Sequence, residues 1–423
     1  MHPGKKSKKA VPLANGSGCS IDALPEGVLR HILGFLEVPE AVRTCVLALR
    51  WRYLWKYATG LRIGCRSDDY LVPVKECQEF MDHVLLLRGG SPIDTCEFWF
   101  GDFQHEDVPR VNLWLRHAML CKVRVFILCI SEGPSPYFEL DDLPLASQHL
   151  TRLELSCVQL RNSFLNFSSC PLLEHLVLEF CEFWLATKIS SEPLKHLIII
   201  CCCTKASAPE HSPHVRVYAP NLVSLHIDDP EGRTPILHSM PSLNKAFIRI
   251  VSDCDDICNK LLDPNCSQCG CEFCGISINV DDGDNCPVLL KGLSEAKDLK
   301  LKSAPEMFIF KKDLKWCPVF SKLKTLLLNE YWCMPDDFSA LACILEHSPV
   351  LEKLTVELFF EGPTYKVEME GSITAERPAT ISQHLNIVKV KCQDLDERVL
   401  KVSVSDQMCS KTWAVILSRD LMS

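Results

Sequence analysis

The 423-residue chain lacks any long apolar run: the longest, Leu197 to Cys203, is seven residues, far below the ~18 that a membrane-spanning helix needs. Residues 1–14 hold no apolar stretch of signal-peptide length. A protein of the nucleus or cytoplasm, with no membrane partner, is therefore expected. A surplus of positive charge is missing as well. The formal net charge is -9, whereas binding along a phosphate backbone needs clustered Lys and Arg, so no nucleic-acid partner is expected. The one dense basic run, Lys5, Lys6, Lys8 and Lys9, belongs to a Pro/Gly/Ser-containing tail over residues 1–19. Sequence signatures of catalysis are absent too. There is no Gly-x-Ser-x-Gly, no Gly-x-x-x-x-Gly-Lys-Ser/Thr and no His-Glu-x-x-His, and Gly4-Lys5-Lys6-Ser7 has no upstream glycine to make a phosphate loop. Neither a catalytic residue nor a cofactor is expected.

What is present is an ordinary globular mixture, 47% hydrophobic and 23% charged. The 25 cysteines would suggest disulfides in a small secreted chain; without an export signal they read as reduced thiols, which pack as small apolar groups.

The first dense segment spans residues 20–60. Pro25 and Pro39 stand where proline suits the first turn of a helix. Leu29, Ile32, Leu33 and Leu36 follow the i, i+3, i+4, i+7 spacing of one helical face, widened by Val28 and Phe35. The next stretch, read as a second helix, places Val42, Val46, Leu49 and Tyr53 on one face and Leu47, Trp51, Leu54 and Trp55 on another. So short a segment cannot bury that much apolar surface internally, so it must pack on the rest of the chain or on another protein.

These residues resemble a known family. Leu24-Pro25, the spacing to Ile32-Leu33 and Phe35-Leu36, then Glu40-Ala41-Val42-Arg43-Thr44 and Arg50-Trp51-Arg52-Tyr53-Leu54-Trp55 are similar to the F-box of plant F-box/leucine-rich-repeat proteins. Ala48 and Leu49 stand where that family usually has Ser-Lys. The resemblance implies docking onto a Skp-type adaptor and, through it, a cullin. The adaptor contacts it implies are Leu24, Pro25, Leu29, Ile32, Leu33, Leu36, Val42, Val46, Trp51, Leu54 and Trp55.

Beyond this segment, a helix over Val74 to Arg88 ended by Gly89-Gly90, a strand over Cys96 to Phe100, a helix over Val108 to Leu120 and an alternating strand through Val123, Val125 and Ile127 are predicted. From residue 150 a phrase recurs: a leucine, two residues, an apolar residue, one residue, another apolar residue. Its copies include Leu150/Leu153/Leu155, Leu173/Leu176/Leu178, Leu194/Leu197/Ile199, Leu222/Leu225/Ile227, Leu323/Leu326/Leu328 and Leu351/Leu354/Val356, with weaker ones at Leu243/Ala246/Ile248 and Ala296/Leu299/Leu301. The spacings of 23, 21 and 28 residues from Leu153 through Leu176 and Leu197 to Leu225 lie in or near the leucine-rich-repeat period. Each copy reads as a short strand that buries its leucines only when stacked on its neighbours. Ile276, Ile278 and Val280 are a candidate strand for the 53-residue gap from Ala246 to Leu299. The last phrase, Leu385/Val388/Val390, sits in a stretch that resembles the FBD region ending many such plant proteins, and the likeness stops after Val402.

The expected fold is thus α/β. An α-helical F-box (20–60) leads through connecting helices and first strands (61–145) into an irregular leucine-rich-repeat solenoid, or horseshoe (146–361), then a partial FBD-like region (362–402) and a divergent tail (403–423). A cysteine-rich insertion occupies 254–286. There Cys266/Cys269 and Cys271/Cys274 have the two-residue gap that suits zinc thiolates, but a single residue separates the pairs, and the expectation is reduced loop cysteines without bound metal. Alternation along each repeat strand turns one side chain of the phrase out of the core. Val177, Ile198, Phe247 and Leu327 are such positions and apolar, which makes them candidates for binding an unknown protein substrate. The function implied is that of the substrate-recognition subunit of a Skp-cullin-F-box ubiquitin ligase; the alternatives are a ligase-independent repeat scaffold or truncated, poorly functional paralogue, and a zinc-dependent binding module.

Overall fold

The computed structural model describes residues 21–64, 71–131, 137–205, 214–251, 289–304, 314, 317–333, 339–358, 382–392 and 414–418. The basic tail, the cysteine-rich stretch 254–286 with Cys266, Cys269, Cys271 and Cys274, and most of residues 362–423 lie outside them.

Helix α1 (Glu26–Leu33) begins at Pro25, which is extended, and stops at Gly34. Helix α2 (Val38–Arg43) carries Pro39 in its first turn. The continuous second helix read from the sequence is instead broken. Two 3-10 segments, Thr44–Val46 and Leu49–Tyr57, follow α2. Thr44 Oγ1 donates to the Ala41 carbonyl at 2.7 Å, a local bond that competes with helix continuation, and Ala48 is fully extended. Helix α3 (Val74–Arg88) ends at Gly89 in the left-handed region, and α4 (Val108–Leu120) starts with a proline in its first turn, both as the sequence predicts. Two further short helices are α5 (Leu289–Gly292) and α6 (Ser339–Glu346).

The strands, in chain order, are β1 (Gly60–Ile63), β2 (Thr95–Phe100), β3 (Val125–Ile130), β4 (Phe138–Glu139), β5 (Arg152–Ser156), β6 (Val158–Leu160), β7 (His175–Glu179), β8 (Glu182–Trp184), β9 (Lys188–Ser190) and β10 (His196–Ile200). There follow β11 (Cys203–Lys205), β12 (Arg216–Tyr218), β13 (Ser224–Asp228), β14 (Ile236–Leu237), β15 (Lys245–Ile250), β16 (Asp298–Ser303), β17 (Thr325–Asn329), β18 (Lys353–Leu358), β19 (Ile387–Cys392) and β20 (Ala414–Ser418). Thirteen of them form one parallel sheet in the order β1-β2-β3-β5-β7-β10-β13-β15-β16-β17-β18-β19-β20. One strand per coil, each paired with the next along the chain, is the topology of a solenoid. Two smaller parallel sheets, β11-β8-β6-β4 and β14-β12-β9, give the middle coils strands on their other sides.

The recurring phrase builds the core. In every copy the three apolar positions are buried, from Leu150, Leu153 and Leu155 to Leu385, Val388 and Val390. In β3 both faces are apolar, and the structure buries Phe126, Leu128 and Ile130, leaving Val125 and Ile127 on the outward side, opposite in phase to the alternation read from Val123. Strand β15 pairs directly with β16, Ala246 beside Leu299. The candidate strand through Ile276, Ile278 and Val280, within the 53-residue gap, lies outside the described residues. In the divergent tail, β20 pairs in parallel with β19, an element the sequence did not betray.

Coils turn at a repeated corner. Cys157, Phe180, Cys201 and Asp229 all have left-handed φ values, 60, 51, 47 and 47°. Their N–H groups donate to Glu179, Ile200, Asp228 and Arg249 of the next coil at 2.7–3.0 Å, so the ladder continues around the bend. Just beyond, Cys181 and Cys202 each donate Sγ–H to a carbonyl of the preceding coil, Leu155 and Leu178, at 3.4 Å. These cysteines occupy a solenoid hydrogen-bonding position, and burial pushes the Cys202 thiol well above its ordinary pKa.

Candidate functional site

Two surfaces stand out, one at the N-terminal helical segment and one on the main sheet. The first divides its apolar residues between two fates. Leu29, Leu33, Trp51, Leu54 and Trp55 are buried in the chain's own core, with α3 and β1 supplying part of the wall. Leu24, Leu36 and Val42 are half-buried against that core, Ile32 is half-buried, and Pro25 is exposed. Facing outward are Phe35, Val46, Leu47, Leu49 and Tyr53, with Val46 82% and Leu49 87% exposed. The break at Ala48 presents Val46, Leu47 and Leu49 together to solvent. Part of the surface that needed a partner thus finds it within the chain, and the rest is exposed among the described residues.

Polar contacts brace the segment and fix it to the solenoid. Within the segment, Arg50 donates to the Leu24 carbonyl at 2.6 Å. Arg62, on β1, donates to the Gly34 carbonyl at 2.6 Å and pairs with Glu97 at 3.0 Å, while its guanidinium lies over the Phe35 ring. Arg88, at the end of α3, is buried and binds the carbonyls of Trp55 and Ala58. Burial lowers its pKa. Sequence reasoning missed this anchor, because a lone arginine in a helix's last turn looks like a solvated residue.

The second surface is the outward face of the main sheet. Register places Glu154, Val177, Ile198, His226, Phe247, Lys300, Leu327 and Thr355 in one row across eight consecutive strands. The candidate substrate contacts Val177, Ile198, Phe247 and Leu327 thus share a face. Val177 is buried between its neighbours, and the other three are half-buried. Beside that row the His175 and His196 rings stack at 4.4 Å and 7°, and His226 leans on Phe247 at 4.5 Å. Burial, followed by the charge of His196, lowers the His175 pKa.

A third constellation joins Cys317, Cys343 and His347, whose ligand atoms lie within 4.8 Å of one another. Cys343 and His347 are one turn apart at the end of α6. The His347 Nδ1 lies 2.8 Å from the Cys343 carbonyl, a contact that requires Nδ1 to carry the proton. That nitrogen is then a donor, which leaves Nε2 as the ring atom able to ligate an ion. Between α3 and α4 runs an open groove of about 1000 Å³. Several of its polar side chains are engaged with one another: Arg110 donates to Gln78 at 2.7 Å and Trp114 Nε1 to Asp82 at 2.9 Å. Among the described residues no helix is long and apolar enough to cross a membrane.

No family model matches the chain. Individual proteins do. An F-box/LRR-repeat protein of Arabidopsis thaliana is 29% identical over 241 residues, 49% of this chain and 45% of that protein. A second F-box/LRR-repeat protein of the same plant is 28% identical over 269 residues, 55% of this chain and 68% of its own length. An F-box/FBD/LRR-repeat protein, also from Arabidopsis thaliana, is 24% identical over 415 residues, 91% of this chain and 89% of that protein. The chain therefore spans under half of the first relative and most of the third. The shared stretches and the stacked leucine phrases agree: the chain is a homologue of the F-box/LRR-repeat and F-box/FBD/LRR-repeat proteins of Arabidopsis thaliana.

Proposed function

We propose that this chain is the substrate-recognition subunit of a Skp-cullin-F-box ubiquitin ligase. Residues 20–60 act as the F-box and dock a Skp-type adaptor, which brings the cullin; the solenoid's outward sheet face holds a protein substrate. The chain performs no bond chemistry. Its contribution is proximity, holding a substrate lysine near a charged conjugating enzyme.

The observation that carries this reading is the outward half of the N-terminal segment: Phe35, Val46, Leu47, Leu49 and Tyr53 form an exposed apolar set on a helical unit anchored to the solenoid by Arg88 and Arg62. The buried members of the expected contact set, Leu29, Leu33, Trp51, Leu54 and Trp55, shape that unit from within, while Leu24, Pro25, Ile32, Leu36, Val42 and Val46 lie at or near its surface. The relatives' F-box names support the same assignment.

The test is co-purification of a Skp-type adaptor and cullin with the tagged full chain. Wild type should recover both. Val46→Asp combined with Leu47→Asp removes apolar contact area without touching the core and should abolish recovery while leaving the circular dichroism unchanged. Undiminished adaptor recovery by this variant would refute the assignment. A wild-type chain that recovers neither protein would instead be a ligase-independent repeat scaffold.

A further inference from the structure

We propose that the outward face of strands β15–β19 docks an acidic segment of the recruited protein. This deepens the receptor reading given above and rests on it.

The sheet face carries charge unevenly along the solenoid. From β1 to β13 its outward positions hold Glu97, Glu154, Glu179 and Asp228 against Arg62 and Arg152. From β15 onward the balance inverts. Some of the cations there are already engaged: Lys302 and Lys391 flank Glu357 at 2.6 and 3.1 Å, and Arg249 pairs with Asp228 of the preceding coil. Asp298, which lies beside Lys245 in register, accepts a hydrogen bond from Thr325 at 2.8 Å. That leaves Lys245, Lys300, Lys353 and Lys389 outward-facing and without an ion-pair partner among the described residues. The first three are exposed. Four unpaired lysines on one face run against the composition of a chain with net charge -9.

The geometry fits an extended peptide. Five parallel strands at the usual spacing cover about 19 Å, the length of roughly six extended residues. Between the lysines the middle row offers Phe247 and Leu327 as half-buried apolar seats, so acidic side chains can reach the lysines while an apolar one rests between them. A nucleic acid is a poorer fit. A uniformly anionic strand would meet Asp228, Glu179 and Glu154 as it continued along the face, and the one aromatic ring in the middle row of β15–β19, Phe247, is already packed against His226, which leaves no free stacking platform. A protein segment can change charge along its length and match both halves.

The full chain would be titrated, by fluorescence anisotropy, against a fluorescein-labelled Asp/Glu decapeptide, a Lys/Arg decapeptide and an oligothymidylate of the same length. The acidic peptide should bind best, and more weakly as salt rises. Lys300→Glu with Lys353→Glu should weaken it by about tenfold or more, Lys300→Gln with Lys353→Gln by less, and Lys75→Glu on α3 not at all. Matching circular dichroism separates lost charge from lost fold. The proposal is overturned if wild type does not bind the acidic peptide, if the charge-reversed chain binds it equally, or if the oligothymidylate binds more tightly than the peptide. Adaptor recovery by the same variants keeps the two readings apart: adaptor retained without peptide binding removes this inference alone, whereas peptide binding without adaptor in wild type removes the receptor reading.

Discussion

Arg88 donates to the backbone carbonyl of Trp55 at 3.0 Å and, with its other terminal nitrogen, to that of Ala58 at 2.7 Å. Those carbonyls close the 3-10 segment Leu49–Tyr57; the Trp55 carbonyl also accepts from the Ala58 N–H at 3.2 Å, and a cation is favoured at such an end. One side chain of α3 thereby completes the N-terminal unit. Arg88→Met keeps much of the volume but removes both of these bonds, leaving the Trp55 carbonyl only its bond from the Ala58 N–H, and should cost about 1–3 kcal/mol. Thermal denaturation of the full chain measures the loss, and limited proteolysis should show faster cleavage between Tyr57 and Gly64. Unchanged cleavage would mean that the arginine is not the anchor.

Gly34 and Gly60 bring the end of α1 against the start of β1. A Cβ at Gly34 would lie 2.6 Å from the Gly60 nitrogen, and one at Gly60 would collide with the Gly34 carbonyl oxygen. The clash is with backbone, which cannot swing aside. Gly60→Ala should destabilise the chain by about 2–4 kcal/mol and weaken adaptor recovery, because the unit it displaces carries the exposed apolar set. Gly27→Ala is the control: nothing lies within 4 Å of a Cβ there, so neither readout should fall.

The left-handed corners give an opposite pair of substitutions at Cys201, whose φ is 47°. A β-branched side chain is strongly disfavoured in that region, whereas glycine adopts it freely. Cys201→Val should cost about 1–2 kcal/mol, and Cys201→Gly should cost nothing measurable or stabilise slightly. Denaturant midpoints compared across the two variants check the sign. Equal destabilisation by both would show that the thiol's contacts, not the backbone angle, matter at this corner.

The stacked His175 and His196 predict a pH dependence. Burial and the neighbouring imidazole lower the His175 pKa from its ordinary 6.5, so the unfolded chain takes up this proton at a higher pH than the folded one. Linkage then fixes the sign: stability is full above about 6.5 and falls as pH drops through that value toward the lowered folded-state pKa. Melting temperature recorded across this window should decline on the acid side, and His175→Gln should flatten part of the decline. A variant with the same slope as wild type would assign the dependence to other groups.

The sequence disclosed the solenoid because its leucine phrases must face a shared core, and each one does. It also disclosed α3, where Gly89 supplies the left-handed stop, and the outward row containing Val177, Ile198, Phe247 and Leu327, since alternation in a strand leaves no choice of face. It did not disclose the phase of β3, where apolar residues on both sides removed the contrast that alternation depends on. Nor could it divide the N-terminal segment into buried and exposed halves: helical periodicity treats Leu47 and Trp51 alike, and only the break at Ala48 and the position of α3 separate them. The unpaired lysines of β15–β19 are scattered from residue 245 to 389, and only parallel register gathers them.

The unbroken parallel sheet from β1 to β20 also makes the chain a ruler. Each coil advances the stack by about 4.8 Å, so its thirteen strands measure close to 58 Å along the sheet. The N-terminal helical unit sits at the zero end, fixed by Arg88 and Arg62, and under the proposed receptor role a protein seated over β15–β19 would lie at a set mark along the scale. Adding or deleting a whole coil would move that mark by one graduation without altering either surface, so under the proposed role the number of coils, as much as their chemistry, would determine which lysines of a bound protein come within reach.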